Sequence, residues 1–184
     1  MKRLLIGALL FALAAAPMTA STFLAMNERE LIAASEAVVQ GQVLKVHSFW
    51  DASGRMVKTE ALIRVEDTIV GESPTVVRVE TFGGAVDGFL FEAAGFPTFN
   101  VGERMVLFLS PEKDGVTRIT GYQFGQFYVK RDKAGVDFAV SALDTDVNVV
   151  TEDGRPFSRP QAVRLDTFKD RVRDTARRAG RMAN

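Results

Sequence analysis

The chain has one histidine, His47, and no cysteine. A thiol nucleophile is therefore excluded, and any serine triad would have to use that single imidazole as its base. His47 lies near the end of an alternating run, beside Phe49 and Trp50, and reads as a strand-edge residue. Catalytic zinc normally takes three protein ligands. No histidine pair is present to supply them, so neither a metal nor a cofactor is expected. Asp144-Thr145-Asp146-Val147-Asn148 matches the opening of a calcium loop, but Val149 stands where the sharp turn needs glycine and Arg155 where a bidentate glutamate should close the site. Gly83-Gly84 is followed by neither Gly-Lys-Ser/Thr nor a helix start, so it reads as a strand-ending bend rather than a phosphate cradle. Asp87 and Glu92 could work as acid and base only if the fold paired them.

Apolar surface is the richer signal. Residues 85–101 are apolar without a clean period and are punctuated by Gly88, Gly95 and Pro97, which predicts a long packed loop. The loop carries Phe89, Phe91, Phe96 and Phe99, the residues expected to bind a partner. Loops of this length are uncommon in compact domains and are often functional. Exposed, the four rings would form the kind of apolar patch that marks a docking site; buried, they would be the loop's own packing.

The elements that must hold this loop are mostly strands. Asn27 and Glu30 have capping-box spacing, which predicts a short helix over about 28–36. Residues 38–46 and 57–65 alternate around the polar turn Asp51-Ala52-Ser53-Gly54, predicting a long hairpin. A third strand runs from Val76 to Phe82. Arg104 to Leu109 is nearly continuous in apolar residues, as in a strand buried on both faces. Strands at 117–120, 126–130 and 136–140 complete the set. Ser158 and Gln161 form a second capping-box pattern, and Leu165, Phe168, Val172, Ala176 and Ala179 recur at helical spacing, predicting a C-terminal amphipathic helix. The expected fold is mainly β with flanking helices: a small five- to six-stranded barrel of the oligonucleotide/oligosaccharide-binding (OB) type, with a two-sheet sandwich as the competitor.

Lys2 and Arg3 precede an apolar run from Leu4 to Ala16, and Pro17 with Thr19-Ala20-Ser21 follows. That order is the pattern of a secretion signal, and the run is well short of the roughly 20 residues needed for a membrane anchor. The expected organisation is thus a signal peptide over 1–21, a barrel domain over 22–140, and a linker with the amphipathic helix over 141–184. The product would be periplasmic or extracellular and without a membrane span. Formal net charge is zero, yet arginines concentrate after Arg159, so the preceding body is acidic. An acidic barrel argues against a nucleic-acid partner, because phosphate neutralisation supplies most of that affinity.

Ser35 to Val43, Thr59, Val65 to Gly71, Gly83-Gly84, Gly95 to Leu109 and Gly121 to Phe127 together resemble a family of small secreted bacterial proteins with a barrel similar to tissue inhibitors of metalloproteinases. The likeness spans about Ala34 to Val129. Some members are encoded near matrixin-like metalloproteases, so the resemblance implies a protease-directed binding role. Gln123-Phe124-Gly125-Gln126-Phe127 departs from the family's order, in which Gln directly precedes Gly. The N-terminal cysteine that chelates zinc in the animal inhibitors is missing, so that mechanism does not carry over.

Together these readings predict an exported binding module for a protein or peptide partner, a secreted metalloprotease among them, working through the 85–101 loop. A carboxylate-dependent hydrolase of the cell envelope is the alternative. Mass spectrometry of the protein recovered from the periplasm or medium should give a chain beginning near Ser21 or Thr22; a retained Met1 would overturn the export reading.

Overall fold

Asn27 opens the first helix by a reciprocal cap. Its side chain accepts from the Glu30 amide at 3.0 Å, while the Glu30 carboxylate accepts from the Asn27 amide at 2.8 Å. In the computed structural model, which describes residues 22–92, 94–113, 115–145 and 147–181, this helix (α1, Glu28–Ala34) follows a short strand, β1 (Thr22–Leu24). The expected signal segment lies outside the described residues. After α1 come β2 (Ala37–Trp50), β3 (Val57–Val70), β4 (Val76–Phe82), β5 (Gly84–Val86), β6 (Phe89–Phe91) and β7 (Arg104–Leu109). A 3-10 turn (Tyr122–Gly125) leads into β8 (Gln126–Arg131), β9 (Asp137–Ser141), β10 (Asn148–Val150), β11 (Val163–Arg164) and α2 (Leu165–Arg178).

The protein is mainly β, with two α-helices among the described residues. Seven strands form one antiparallel sheet in the order β11-β9-β8-β7-β2-β3-β4, β5 pairs with β6, and β1 pairs in parallel with β10. The large sheet is not the closed barrel predicted above. Residues 117–119 span the gap between β4 and β7 through single bridges, Val79 to Thr117 in parallel and Leu109 to Ile119 antiparallel, in place of a strand. The segment is too short for a ladder because a tight reversal at Lys113 and Val116 precedes it and Gly121, at φ 66°, turns the chain away after it.

Curvature comes from β2. Its register against β3 shifts at Val38/Val39, Gln40/Gly41 and Val43/Lys45, and such bulges bend a strand and increase its twist. Gly41 permits the close approach at one of them: a Cβ there would lie 2.6 Å from the Arg64 carbonyl oxygen.

Both faces of this curved sheet are covered. On one, Val38, Val106, Phe108, Phe127 and Val129 pack against Leu31 and Ile32 of α1 and against Leu165, Phe168, Val172 and Ala176 of α2. On the other, Val39, Ala61, Ile63, Val79, Met105 and Leu107 fill the concave side. Successive residues of β7 alternate between the two cores, as its unbroken apolar run requires. Helix α2 presents the predicted stripe except for Ala179, which is exposed beyond the last turn. The cap predicted at Ser158 and Gln161 is not used: Val163 and Arg164 first pair with β9, so the helix begins only at Leu165.

Charges fasten the helices to the sheet. Lys169 and Arg173 reach Asp67 of β3 at 2.9 and 3.1 Å, and Arg171 reaches Glu28 of α1 at 2.8 Å. Three of the eight basic residues from Arg159 onward are used in these contacts. Across the sheet, Arg104 bridges Glu66 at 3.0 Å and Asp137 at 2.9 Å, and Arg131 also holds Asp137 at 2.7 Å. The Arg131 and Arg104 guanidiniums hold the Asp137 carboxyl well below the usual carboxylate range. Burial alone would raise the Glu66 carboxyl, but hydrogen bonds from Arg104 and Gln40 outweigh it and keep it low.

A carboxyl whose folded-state value is depressed contributes stability above its unfolded value of about 3.9 and loses that contribution as pH falls. Asp137→Asn should therefore lower the melting temperature at neutral pH, with the gap to the parent closing from about pH 4 downward as the parent's carboxylate is protonated first in the unfolded chain and, at lower pH, in the folded one. A gap unchanged by acid in thermal melts would show that the Asp137 charge does not stabilise the fold.

Candidate functional site

At the end of the sheet where β2, β3 and β4 approach the β5–β6 hairpin, the concave side opens into a cavity of about 800 Å³. Its floor follows from strand register. Ser48 of β2 is the cross-strand partner of Thr59 in β3, and Thr59 is the partner of Thr81 in β4. Three hydroxyls thus stand in a row at one level of the sheet. One level deeper, the same register aligns Val46, Ala61 and Val79.

Hydrogen positions follow from the partners. Thr59 Oγ1 donates to the Gly83 carbonyl at 2.6 Å and so has no proton left for Ser48, whose hydroxyl, 2.8 Å away, must be the donor. Thr81 is 7% exposed and its Oγ1 has no hydrogen-bond partner. A buried hydroxyl left unpaired costs about 1–3 kcal/mol. Gly83 and Gly84 do act as a bend, as the sequence implied. Gly84, at φ 129°, is obligatory: a Cβ there would lie 2.2 Å from Thr59 Oγ1 and 2.3 Å from Ser48 Oγ.

The predicted loop over 85–101 divides into two parts of different character. Its first part is a hairpin, correcting the expectation of irregular chain. Ala85 pairs with Leu90 and Val86 with Phe89 across the two-residue turn Asp87-Gly88, whose φ angles are 52° and 80°. Asp-Gly between apolar residues is a strong signal for such a turn, and it is the clue that the absence of a clean period obscured. Phe89 is 64% and Leu90 68% exposed. Phe91 is also exposed, packs edge-on against Trp50 at 5.1 Å, and the Trp50 indole N–H donates to Asp87 at 3.0 Å.

The second part is anchored. Phe99 is 7% exposed and belongs to the concave core, while Phe96 is half-buried between Phe82 and Tyr122. Two buried glutamines that sequence reasoning did not single out hold this segment. Gln123 donates to the Phe96 carbonyl at 3.2 Å and to the Asp144 carboxylate at 2.7 Å, and Gln126 donates to the Thr98 carbonyl at 2.7 Å. Of the four predicted phenylalanines, the structure thus leaves Phe89 and Phe91 at the surface and uses Phe99 as core. Phe91, Phe96 and Phe99 line the cavity; Phe89 lies outside its lining.

The other sequence candidates stand apart. His47 is exposed and stacked on Phe49 at 5.8 Å, outside the cavity lining. No hydrogen bond joins Asp87 to Glu92, which lies on the cavity rim. In the segment that resembled a calcium loop, Arg159 donates to the backbone carbonyls of Leu143, Thr145 and Val147 and ties that segment to the chain before β11. Among the described residues no cluster of three or more His, Cys, Asp or Glu is placed to hold a metal. No helix among them is long and apolar enough to cross a membrane.

Phe99→Ala should cost about 3–5 kcal/mol of stability, as expected for truncating a buried ring. Phe89→Ser should cost less than about 1 kcal/mol, since an exposed ring forfeits little burial. Denaturant unfolding of the two variants checks the division of the loop, and equal losses would refute it.

Comparison of the chain with family models, with characterised proteins and with solved structures finds no match.

Proposed function

We propose that this protein is an exported, non-enzymatic binding module that holds a protein or peptide partner through the β5–β6 hairpin and the adjoining cavity. The observation that carries this reading is the exposure of Phe89, Leu90 and Phe91 on a two-stranded hairpin, beside Trp50. Adjacent large apolar side chains of this kind are costly to leave in water, and they mark partner surfaces more often than monomer surfaces. Aromatic residues also dominate the energetic centres of interfaces.

The mounting supports the same reading. The hairpin lies against β2 and β3 of a sheet buried on both faces, while Gln123 and Gln126 fasten the chain that follows it. A rigid scaffold that presents a short apolar element loses little conformational entropy on binding. The proposed location is the periplasm or the extracellular space, and the proposed partner class includes a secreted protease, following the resemblance noted above.

The test is a pull-down from cell envelope and culture medium with the exported chain, alongside Phe89→Ser and His47→Ala. The parent and His47→Ala should retain one partner that Phe89→Ser loses by at least about tenfold, the effect of removing an interface anchor. Retention by Phe89→Ser would sink the hairpin as the docking element. Turnover of a substrate by the purified chain alone, silenced by His47→Ala, would replace the binding reading with a catalytic one.

A further inference from the structure

Among the described residues, three buried side-chain oxygens lack a hydrogen-bond partner: those of Gln40, Thr81 and Gln126. Only Thr81 lines the cavity. Its neighbours in the hydroxyl row are already satisfied, since Ser48 donates to Thr59 and Thr59 to Gly83. Thr81 can therefore both donate and accept, and buried groups left in that condition call for a partner.

The surroundings restrict what that partner is. Val46, Phe82, Leu90, Phe91, Phe96 and Phe99 supply apolar wall, and a volume of about 800 Å³ exceeds what one side chain fills. The charged residues of the lining are Glu92 and Asp144, and no lysine, arginine or histidine is among them. Asp144 keeps its negative charge while accepting from Gln123, so it and Glu92, both exposed, can meet incoming positive charge. An anionic ligand finds no counter-charge here, whereas a cation beside an apolar group does.

We infer that the cavity seats an extended peptide segment carrying large apolar side chains beside a lysine or arginine, with a polar backbone group of that segment hydrogen-bonded to Thr81 Oγ1. The inference rests on the binding-module reading and specifies the chemistry the partner presents. Apolar side chains fill the space under Leu90 and Phe91, and the basic residue lies against Glu92. Gly84 leaves the hydroxyl floor uncovered, because any side chain there would collide with Ser48 and Thr59.

The probes are fluorescein-labelled, N-acetylated pentapeptides read by fluorescence anisotropy at low salt: alanine-leucine-phenylalanine-lysine-alanine, the same peptide with glutamate for lysine, and one with alanine for leucine and phenylalanine. The lysine peptide should bind, the glutamate peptide should bind at least about threefold more weakly, and the third should not bind. Thr81→Val keeps the shape and removes the unpaired oxygen, so it should raise the melting temperature while weakening the lysine peptide about three- to tenfold. A structural residue would give the first change without the second, and that result would overturn the role of Thr81. Glu92→Gln should narrow the preference for lysine over glutamate, and an unchanged preference would overturn the role of Glu92. Absence of binding by all three peptides would overturn the cavity inference. If Phe89→Ser still loses the partner in the pull-down, the docking reading survives that failure. Peptide binding combined with a pull-down indifferent to Phe89→Ser would instead sink the hairpin reading and leave the cavity site standing.

Discussion

Strand β7 is buried on both faces, and that condition organises the rest of the molecule. Met105, Leu107 and Leu109 belong to one core and Val106 and Phe108 to the other, so the sheet needs a cover on each side. A sheet with two apolar faces is stable only between layers. The chain meets this demand in two different ways, and the candidate site exists because of the difference.

On the convex side the cover is regular. Helices α1 and α2 lie across the sheet, and Asp67, Glu28 and the basic residues of α2 tie helix to strand and helix to helix. These ion pairs are partly exposed, so each contributes modestly, and the buried stripe from Leu165 to Ala176 carries most of the docking energy. On the other side no helix among the described residues covers the sheet. There Val39, Val43, Ala61, Ile63, Val77 and Val79 of β2, β3 and β4 cluster with Phe99 from the irregular chain before β7. The end toward the β5–β6 hairpin stays open, which is where the cavity lies.

Among the described residues Gln40, Gln126 and Thr81 each keep an unpaired buried oxygen, but only Thr81 does so in the lining of a cavity. Gln123 and Gln126 are buried for a structural purpose, since their amides hold the carbonyls of the Phe96 to Thr98 segment in place. The row Ser48, Thr59 and Thr81 ends in a hydroxyl with no partner. A fold selected for stability alone would place valine at Thr81, because an unpaired buried oxygen is a net cost. Its presence beside a partly open, apolar-walled space is the physical basis for assigning ligand binding to this end of the sheet.

Patterns that depend on near neighbours were legible in the sequence. The Asn27–Glu30 cap, the β2–β3 hairpin, the double burial of Arg104 to Leu109 and the apolar stripe of α2 all follow from spacing along one element, and each is present. Asp87-Gly88 was equally local and would have revealed the β5–β6 hairpin, had turn chemistry been weighed above the lack of a regular period. Barrel closure was not legible, because it depends on whether residues 117–119 meet both β4 and β7 along enough length to form a ladder, and they meet each through a single bridge. The candidate site was out of reach for the same reason. Ser48, Thr59 and Thr81 are separated by 11 and then 22 residues, and only pairing register brings them to one level. Composition could name four phenylalanines on one stretch of chain; which stay at the surface and which enter the core was decided by the competition among distant side chains for the concave face, where Phe99 won a place and Phe89 did not.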